Sequence, residues 1–388
     1  MELRDGNRLT LLSMGGEYFP ALEAAIAAAR HEIYLETYIF ADDASGRRVA
    51  RALMEAAAQG VRAHVIVDGL TVKRYLGAIG SQLLAANVSM AIYRPDITPW
   101  NFRHTRLRRL HRKIAVIDGR VAFVGGINVI DDMHTPGHLP PRHDYAVRIE
   151  GPLVADIRAE ADRLWRLVAL SNFKQWWASE PPPAAEAPSP GFQRAALLVR
   201  DNFRHRSDIE DAYLAAIEGA NEEIIIASAY FFPGVRFRRA LMGAAQRGVK
   251  VIVLLQGRVE YVLLHYASRA LYGALLDAGV QIHEYTRSFL HAKVAVIDGQ
   301  WATIGSSNID PLSLLVAREA NVVVEDRKFA NELREALVEC IEQGAVAVSR
   351  PRWRKKPLGL RFRIWIAYGA ARLLMGWFGY AGRHFGDV

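Results

Sequence analysis

One 18-residue pattern occurs twice in this chain and constrains it more than any other feature. HRKIAVIDGRVAFVGGIN starts at His111 and HAKVAVIDGQWATIGSSN at His291; aligned without gaps, 10 of the 18 positions are identical. The shared skeleton, H-x-K-x4-D-x6-G-x2-N, sets His111, Lys113, Asp118, Gly125 and Asn128 opposite His291, Lys293, Asp298, Gly305 and Asn308. Each copy reads as a strand, an Asp-Gly hairpin turn, a second strand and a loop of small residues. Side chains two apart on a strand share a face, so each His and Lys project together. A lone H-x-K at a strand edge is usually just solvated. Two matching copies in one chain point instead to a site that attacks phosphate.

The repeat extends beyond the pattern. An Ala-rich amphipathic helix (Ala21–Arg30; Ile209–Gly219) leads in each half to an apolar strand, EIYLETYIF from Glu32 or EIIIASAYF from Glu223. A helix, a second strand (GVRAHVIVDG from Gly60; GVKVIVLLQG from Gly248), another helix and a short strand (Val88–Tyr93; Val280–Tyr285) follow. Alternating strands and helices of this length predict an α/β fold with a largely parallel sheet in each half. The expected organisation is a first half over residues 1–180, a Pro/Ala-rich linker over 181–192, a second half over 193–349 and a tail over 350–388.

Charge separates the tail from the body. The tail holds nine of the 49 Lys and Arg and one of the 41 acids, so the rest carries 40 of each and is formally neutral. A nucleic-acid binder would spread its excess over the body, so no nucleic-acid partner is expected; a basic tail suits an anionic surface. Seven bases fall within Arg350–Arg363, and Trp365, Tyr368, Trp377 and Tyr380 are residues that favour lipid headgroups. The longest uncharged run there, Leu373–Gly382, is too short to span a bilayer. The tail therefore reads as an interfacial helix on an anionic leaflet, the alternative being a C-terminal helix packed on the body. The single cysteine, Cys340, excludes a disulfide framework and a Cys-rich zinc site, and fits a reducing compartment. The charged start, MELRDGNRLT, shows no secretory signal.

The paired motifs resemble those of the phospholipase D superfamily over about residues 15–345. The continuation of the second, GSSNIDPLSLLVAREANVVV, is similar to bacterial cardiolipin synthase, nearest to the short B type without N-terminal membrane spans. The resemblance implies two halves about a pseudo-twofold axis with both motifs in one cleft, and a two-step mechanism through a phosphohistidine without metal or other cofactor. It implies a phosphatidyltransferase acting on phospholipids at the cytoplasmic face of the bacterial inner membrane. Phosphatidylglycerol, with phosphatidylethanolamine as a further partner, would give cardiolipin. A hydrolytic phospholipase D or another phosphodiesterase, a nuclease included, is the alternative. No protein partner can be inferred.

The side chains suit that chemistry. Lys113 and Lys293, with the Asn128 and Asn308 amides, can hold the non-bridging oxygens of a phosphodiester. One neutral imidazole attacks phosphorus while the other protonates the leaving alkoxide. The family suggests His111 as nucleophile and His291 as acid/base, although the motifs are symmetric. Asp118 and Asp298, the motif aspartates of the catalytic set, begin the hairpin turns and are expected to act structurally by bonding turn amides. A nucleophilic imidazole also needs a carboxylate on its far nitrogen. Asp144 and Glu319, each just before an apolar strand, occupy the supporting place, and the resemblance implies crossed pairs: Glu319 with His111, Asp144 with His291.

Two loops complete the reading. Residues 95–110, PDITPWNFRHTRLRRL, carry Arg103, Arg106, Arg108 and Arg109 with Trp100 and Phe102, which suits either an arch binding anionic headgroups or a solvated basic loop. DDMHTPGHLPPRHD holds His134, His138 and His143 without regular spacing and reads as a surface loop rather than a metal site.

Overall fold

The computed structural model describes residues 1–95, 108–135, 139–171, 189–201, 205–259, 262–310, 317–354 and 358–377. The first half contributes strands β1 (Arg4–Ser13), β2 (Glu32–Thr37), β3 (Arg62–Asp68), β4 (Ser89–Tyr93), β5 (Arg109–Leu110), β6 (Lys113–Ile117), β7 (Val121–Gly125), β8 (Arg142–His143) and β9 (Tyr145–Glu150). The second contributes β10 (Gln193–Arg200), β11 (Glu223–Ser228), β12 (Lys250–Gln256), β13 (Gln281–Tyr285), β14 (Phe289–Leu290), β15 (Lys293–Ile297), β16 (Trp301–Gly305), β17 (Ala317–Glu325) and β18 (Ala345–Ala347). One sheet runs through both, in the order β18-β13-β12-β11-β15-β16-β17-β10-β1-β9-β7-β6-β2-β3-β4. Its two sides repeat each other outward from the antiparallel β1–β10 pair.

The sheet is mixed, which corrects the expectation of a largely parallel one. Along that order, only β2, β3 and β4, and likewise β11, β12 and β13, run parallel. The motif itself forces the rest, because a two-residue Asp-Gly turn can join only antiparallel strands. Asp118 and Gly119 (φ 51° and 61°), like Asp298 and Gly299 (51° and 57°), lie in the left-handed region that such turns require.

Helices cover both faces. Helices Leu153–Ser171 and Arg327–Gly344 share one apolar cluster that crosses between the halves, with Ile157, Leu164 and Trp165 from one and Phe329, Leu333 and Leu337 from the other. The opposite faces carry separate clusters, one per half. Asn7, wholly buried, ties the seam together: its amide donates to the Arg4 and Gln193 carbonyls at 2.7 and 3.3 Å, and its Oδ1 accepts from Leu153 N at 2.9 Å. Across the seam Gln193 Nε2 donates at 3.1 Å to Asp326, the N-cap of the other long helix.

Arg112, the variable residue of the first H-x-K, points to the opposite sheet face from its neighbours. Its guanidinium is buried between Glu36 and Glu160, bonding Glu36 through Nε and Nη2 (the latter 2.8 Å) and Glu160 through Nη1 at 2.6 Å. The second half has Ala292 there.

The tail forms helix Leu358–Trp377, packed on helix Val262–Arg269. Ile364, Ala367 and Ala371 are buried against the second half, and the Tyr368 ring meets Phe232 at 5.8 Å. The helix thus docks on the body by one face, while Phe362, Trp365, Ile366 and Leu373 remain exposed, Trp365 to 72% and Leu373 to 78%. Among the described residues no helix is long and apolar enough to cross a membrane. The end of the first half (172–180), most of the linker (181–188), much of the basic loop (96–107) and His138 lie outside the described residues.

Replacing Arg112 by Met should destabilise the fold by about 3–5 kcal/mol, since buried Glu36 loses its cation and Glu160 keeps only Arg163. Denaturant unfolding would measure this, and an unchanged midpoint would contradict it.

Candidate active site

Each motif histidine is delivered by a two-residue strand that finds its partner in the other half. β5 runs parallel to the start of β17, pairing Leu110 with Arg318, and β14 runs parallel to β8, pairing Leu290 with His143. The ladder continues into the site: His111 N donates to the Arg318 carbonyl at 3.0 Å and His291 N to the His143 carbonyl at 2.8 Å. Those acceptors immediately precede Glu319 and Asp144. Backbone pairing therefore brings each imidazole to a carboxylate of the opposite half before any side chain is considered.

The side chains complete the crossed arrangement that the resemblance implies. His111 Nδ1 lies 3.0 and 3.1 Å from the two oxygens of Glu319, and His291 Nδ1 lies 2.6 Å from Asp144 Oδ2. A proton on His111 Nδ1, donated to Glu319, leaves its Nε2 lone pair available; at His291 Nδ1 the Asp144 carboxylate and the Lys293 ammonium, 2.8 Å away, compete for the nitrogen, and a proton donated to Asp144 is the tautomer the chemistry uses. Lys113 Nζ donates to the His111 carbonyl at 2.6 Å, and Lys293 donates to the His291 carbonyl and stands 3.6 Å from Asp144. Asn128 and Asn308 are buried at matching positions, and Asn128 Oδ1 accepts from Ile39 N at 3.1 Å.

The two dyads differ in a compensated way. The residue after the motif glycine is Gly126 in one copy and Ser306 in the other. A Cβ on Gly126 would fall 2.3 Å from Asp144 Oδ1, so the short carboxylate needs glycine beneath it. Glu319, one carbon longer, clears Ser306 and accepts its hydroxyl at 2.5 Å. The ring environments differ too: Tyr38 packs edge-on to His111 at 5.1 Å, whereas Phe289 tilts against His291 at 5.8 Å.

Burial dominates the electrostatics. It lowers both imidazoles from the ordinary histidine value, His291 much further, because Lys293, Arg142 and Lys113 add positive charge. Glu319 partly restores His111. Burial also takes the Lys113 ammonium down to about 7 and raises the Asp144 carboxyl, against the pull of Lys293.

Asp118 and Asp298 stay away from this chemistry. Asp118 accepts the backbone N–H groups of Arg30, His31 and Glu32 (2.7–2.9 Å), and Asp298 those of Asn221, Glu222 and Glu223 (2.8–3.0 Å). They pin the approach to β2 and β11, rather than their own turns as the sequence reading expected. Their place in the catalytic set is thus structural.

Three features escaped the sequence reading. Buried Asp68 holds the first motif from behind, accepting Leu110 N at 2.7 Å and Arg109 Nη1 at 3.3 Å. Arg142 and His143, assigned to a surface loop, are strand residues packed beside Asp144, and His143 Nε2 meets the Tyr145 hydroxyl at 2.9 Å. The third is the pairing of two-residue strands across the halves.

A family model described as cardiolipin synthase, PLD-like domain, matches residues 22–165 and again 213–341. The chain belongs to the cardiolipin synthase family. Cardiolipin synthase B of Escherichia coli (strain K12) is 43% identical to this member over 335 residues, covering 86% of this chain and 80% of the relative. Cardiolipin synthase of Geobacillus kaustophilus (strain HTA426) is 32% identical over 376 residues, or 95% and 72%. In fold, this cardiolipin synthase family member is similar to the crystal structure of phosphatidylserine synthase from Haemophilus influenzae Rd KW20 (TM-score 0.67, 13% identity, 94% of each chain).

Gly126→Ala should displace Asp144 and lower turnover by about a hundredfold, the scale of an ångström's misplacement of a catalytic group. A steady-state assay beside a circular dichroism spectrum measures this; wild-type turnover would show that Asp144 does not need its present position.

Proposed function

We propose that the chain transfers a phosphatidyl group from one phosphatidylglycerol to the glycerol hydroxyl of another, giving cardiolipin and glycerol, and that the two crossed dyads divide the work. The observation that carries this reading is the pair of imidazoles, each held through Nδ1 by the opposite half's carboxylate within one family framework.

In the first step His111 Nε2 attacks phosphorus, and the bond to the headgroup oxygen breaks. The pKa of His291 is lowered in the free site, but the negative charge of the bound phosphodiester favours its protonated form; it gives that proton to the oxygen, so glycerol leaves neutral. Glu319 stabilises the positive charge that grows on His111. In the second step the acceptor hydroxyl gives its proton back to His291 while its oxygen attacks the phosphohistidine, and the P–N electron pair returns to His111. Two inversions leave phosphorus with its original configuration. Lys113, Lys293, Asn128 and Asn308 hold the non-bridging oxygens, and the negative charge developing there is stabilised most where water is excluded. The proposal routes no step through a metal or cofactor.

The tail supplies the approach to the bilayer. Phe362, Trp365, Ile366 and Leu373 form the exposed side of a helix whose other side is fixed to the body, and the tail carries all of the chain's excess positive charge. Apolar insertion and attraction to anionic lipid add together in such a helix. The reading places the protein peripherally on the cytoplasmic face of the inner membrane.

Mass spectrometry of phosphatidylglycerol vesicles incubated with the purified chain should show cardiolipin and free glycerol, both lost in His111→Ala. Phosphatidic acid as sole product would make water the second nucleophile and overturn the transferase reading.

The pH profile of kcat/KM should already be falling as pH rises through about 7, since Lys113 loses its proton there and the acid His291, lowered further by burial, must still carry one. It should fall on the acid side only below the ordinary histidine range, since the nucleophile must be neutral and burial lowers His111. An alkaline limb beginning near 10 would remove Lys113 from phosphate binding. Trp365→Glu with Leu373→Glu should abolish sedimentation with anionic vesicles while sparing the fold; undiminished binding would assign membrane contact elsewhere.

A further inference from the structure

Two arginines of the first half are buried, and they are treated very differently. Arg112 has two carboxylates on its guanidinium. Arg142, 8% exposed, has no carboxylate within 4 Å among the described residues, and its Nε and Nη1 are buried without a hydrogen-bond partner. Its Nη2 makes one long bond, 3.4 Å, to the His134 carbonyl, and the guanidinium lies over the Phe289 ring at 5.4 Å. The buried carboxylates of Asp132 and Asp144 feel its charge from beyond that distance, but its two unbonded N–H edges are costly until an anion in direct contact completes them. The second half offers no equivalent, since Ala317 stands two residues before Glu319 as Arg142 does before Asp144.

Its position says which anion. Arg142 and Asp144 are two apart in an extended segment, so their side chains share a side. Phe289, its register partner, lies two before His291 and touches that ring at 5.8 Å. The guanidinium therefore sits one aromatic ring from His291, and its charge is felt at both His291 and Lys113. His291 is where the proposed mechanism brings the acceptor hydroxyl. In a glycerol-headed phospholipid that hydroxyl is joined to a second phosphodiester by a three-carbon bridge.

We propose that Arg142 binds the phosphodiester of the acceptor phospholipid and selects lipid over water or a simple alcohol in the second step. Glycerol, leaving by the same side, is neutral and gives Arg142 nothing to hold. The incoming lipid supplies the missing anion. This inference rests on the transferase reading and on His291 as the acid/base.

The test is a competition within single samples. Full-length enzyme acts on phosphatidylglycerol vesicles containing ethanol, and the ratio of cardiolipin to phosphatidylethanol is read by mass spectrometry. Arg142→Gln should lower that ratio about tenfold, the loss of one charge-assisted bond. Arg142→Lys, which keeps the charge, should recover part of it. Because both products come from the same phosphoenzyme, a reduced folded fraction does not move the ratio. An unchanged ratio overturns the proposal, including the case in which both products fall together, which would place Arg142 on the donor phosphate. Should neither variant fold, the wild type decides: phosphatidylglycerol should outcompete a monoacylglycerol, which has the glycerol hydroxyls but no phosphate, by a similar factor, and parity overturns the proposal. Phosphatidylethanol without any cardiolipin from the wild type would instead sink the transferase reading beneath it.

Discussion

The crossed bond between imidazole and carboxylate is the interaction on which this architecture turns. Glu319 is wholly buried and Asp144 nearly so, and neither has its histidine in its own half. A half standing alone would leave a desolvated carboxylate facing an absent partner, a costly arrangement in any protein interior. Docking the halves satisfies two such groups at once, each through the Nδ1 of the other half's histidine. The continuous sheet, the β1–β10 seam and the shared apolar cluster beneath the long helices all serve to hold that relation rigid. Catalytic geometry and inter-half adhesion are the same contacts here.

What could be read from the sequence was whatever repeats. The motif hairpins, the strands after each Ala-rich helix and the paired His and Lys emerge from aligning the chain with itself, because duplication doubles a weak local pattern. The supporting carboxylates followed from their place before apolar strands together with the family resemblance. The central strands β1 and β10 escaped, since RDGNRLTLLS and QRAALLVR have ordinary patterns whose significance lies only in pairing with each other. The two-residue strands β5, β8 and β14 have no sequence signature, being too short for any period to register. Arg142 was hidden for the same reason: a Pro-rich, His-rich stretch looks like a loop until its last residues are seen to pair with Phe289 and Leu290.

The tail shows a different limit. Its charge asymmetry and aromatic content were plain from composition, but the face that docks was not. Ala367 and Ala371 settle it, their small side chains allowing close approach to helix Val262–Arg269. Tertiary packing also explains why the helix runs through Gly369 despite that residue's poor propensity, because contact with the body stabilises what an isolated peptide would not hold. Docking by one side fixes the orientation of the exposed residues relative to the cleft, whereas a free amphipathic segment would present them at any angle.

The antiparallel seam between β1 and β10 has a consequence for ancestry. Such a pair looks the same from either strand, so two identical unfused copies could meet through it and assemble both dyads, each lending a carboxylate to the other. In that assembly every substitution would appear twice. Joining the copies in one chain lifts that restriction: Gly126 with Asp144 and Ser306 with Glu319 can drift apart as matched sets, Arg112 can gain its carboxylates on one side alone, and a guanidinium can stand beside one histidine and not the other. Within one chain, a symmetric pair of sites is free to become two unlike ones.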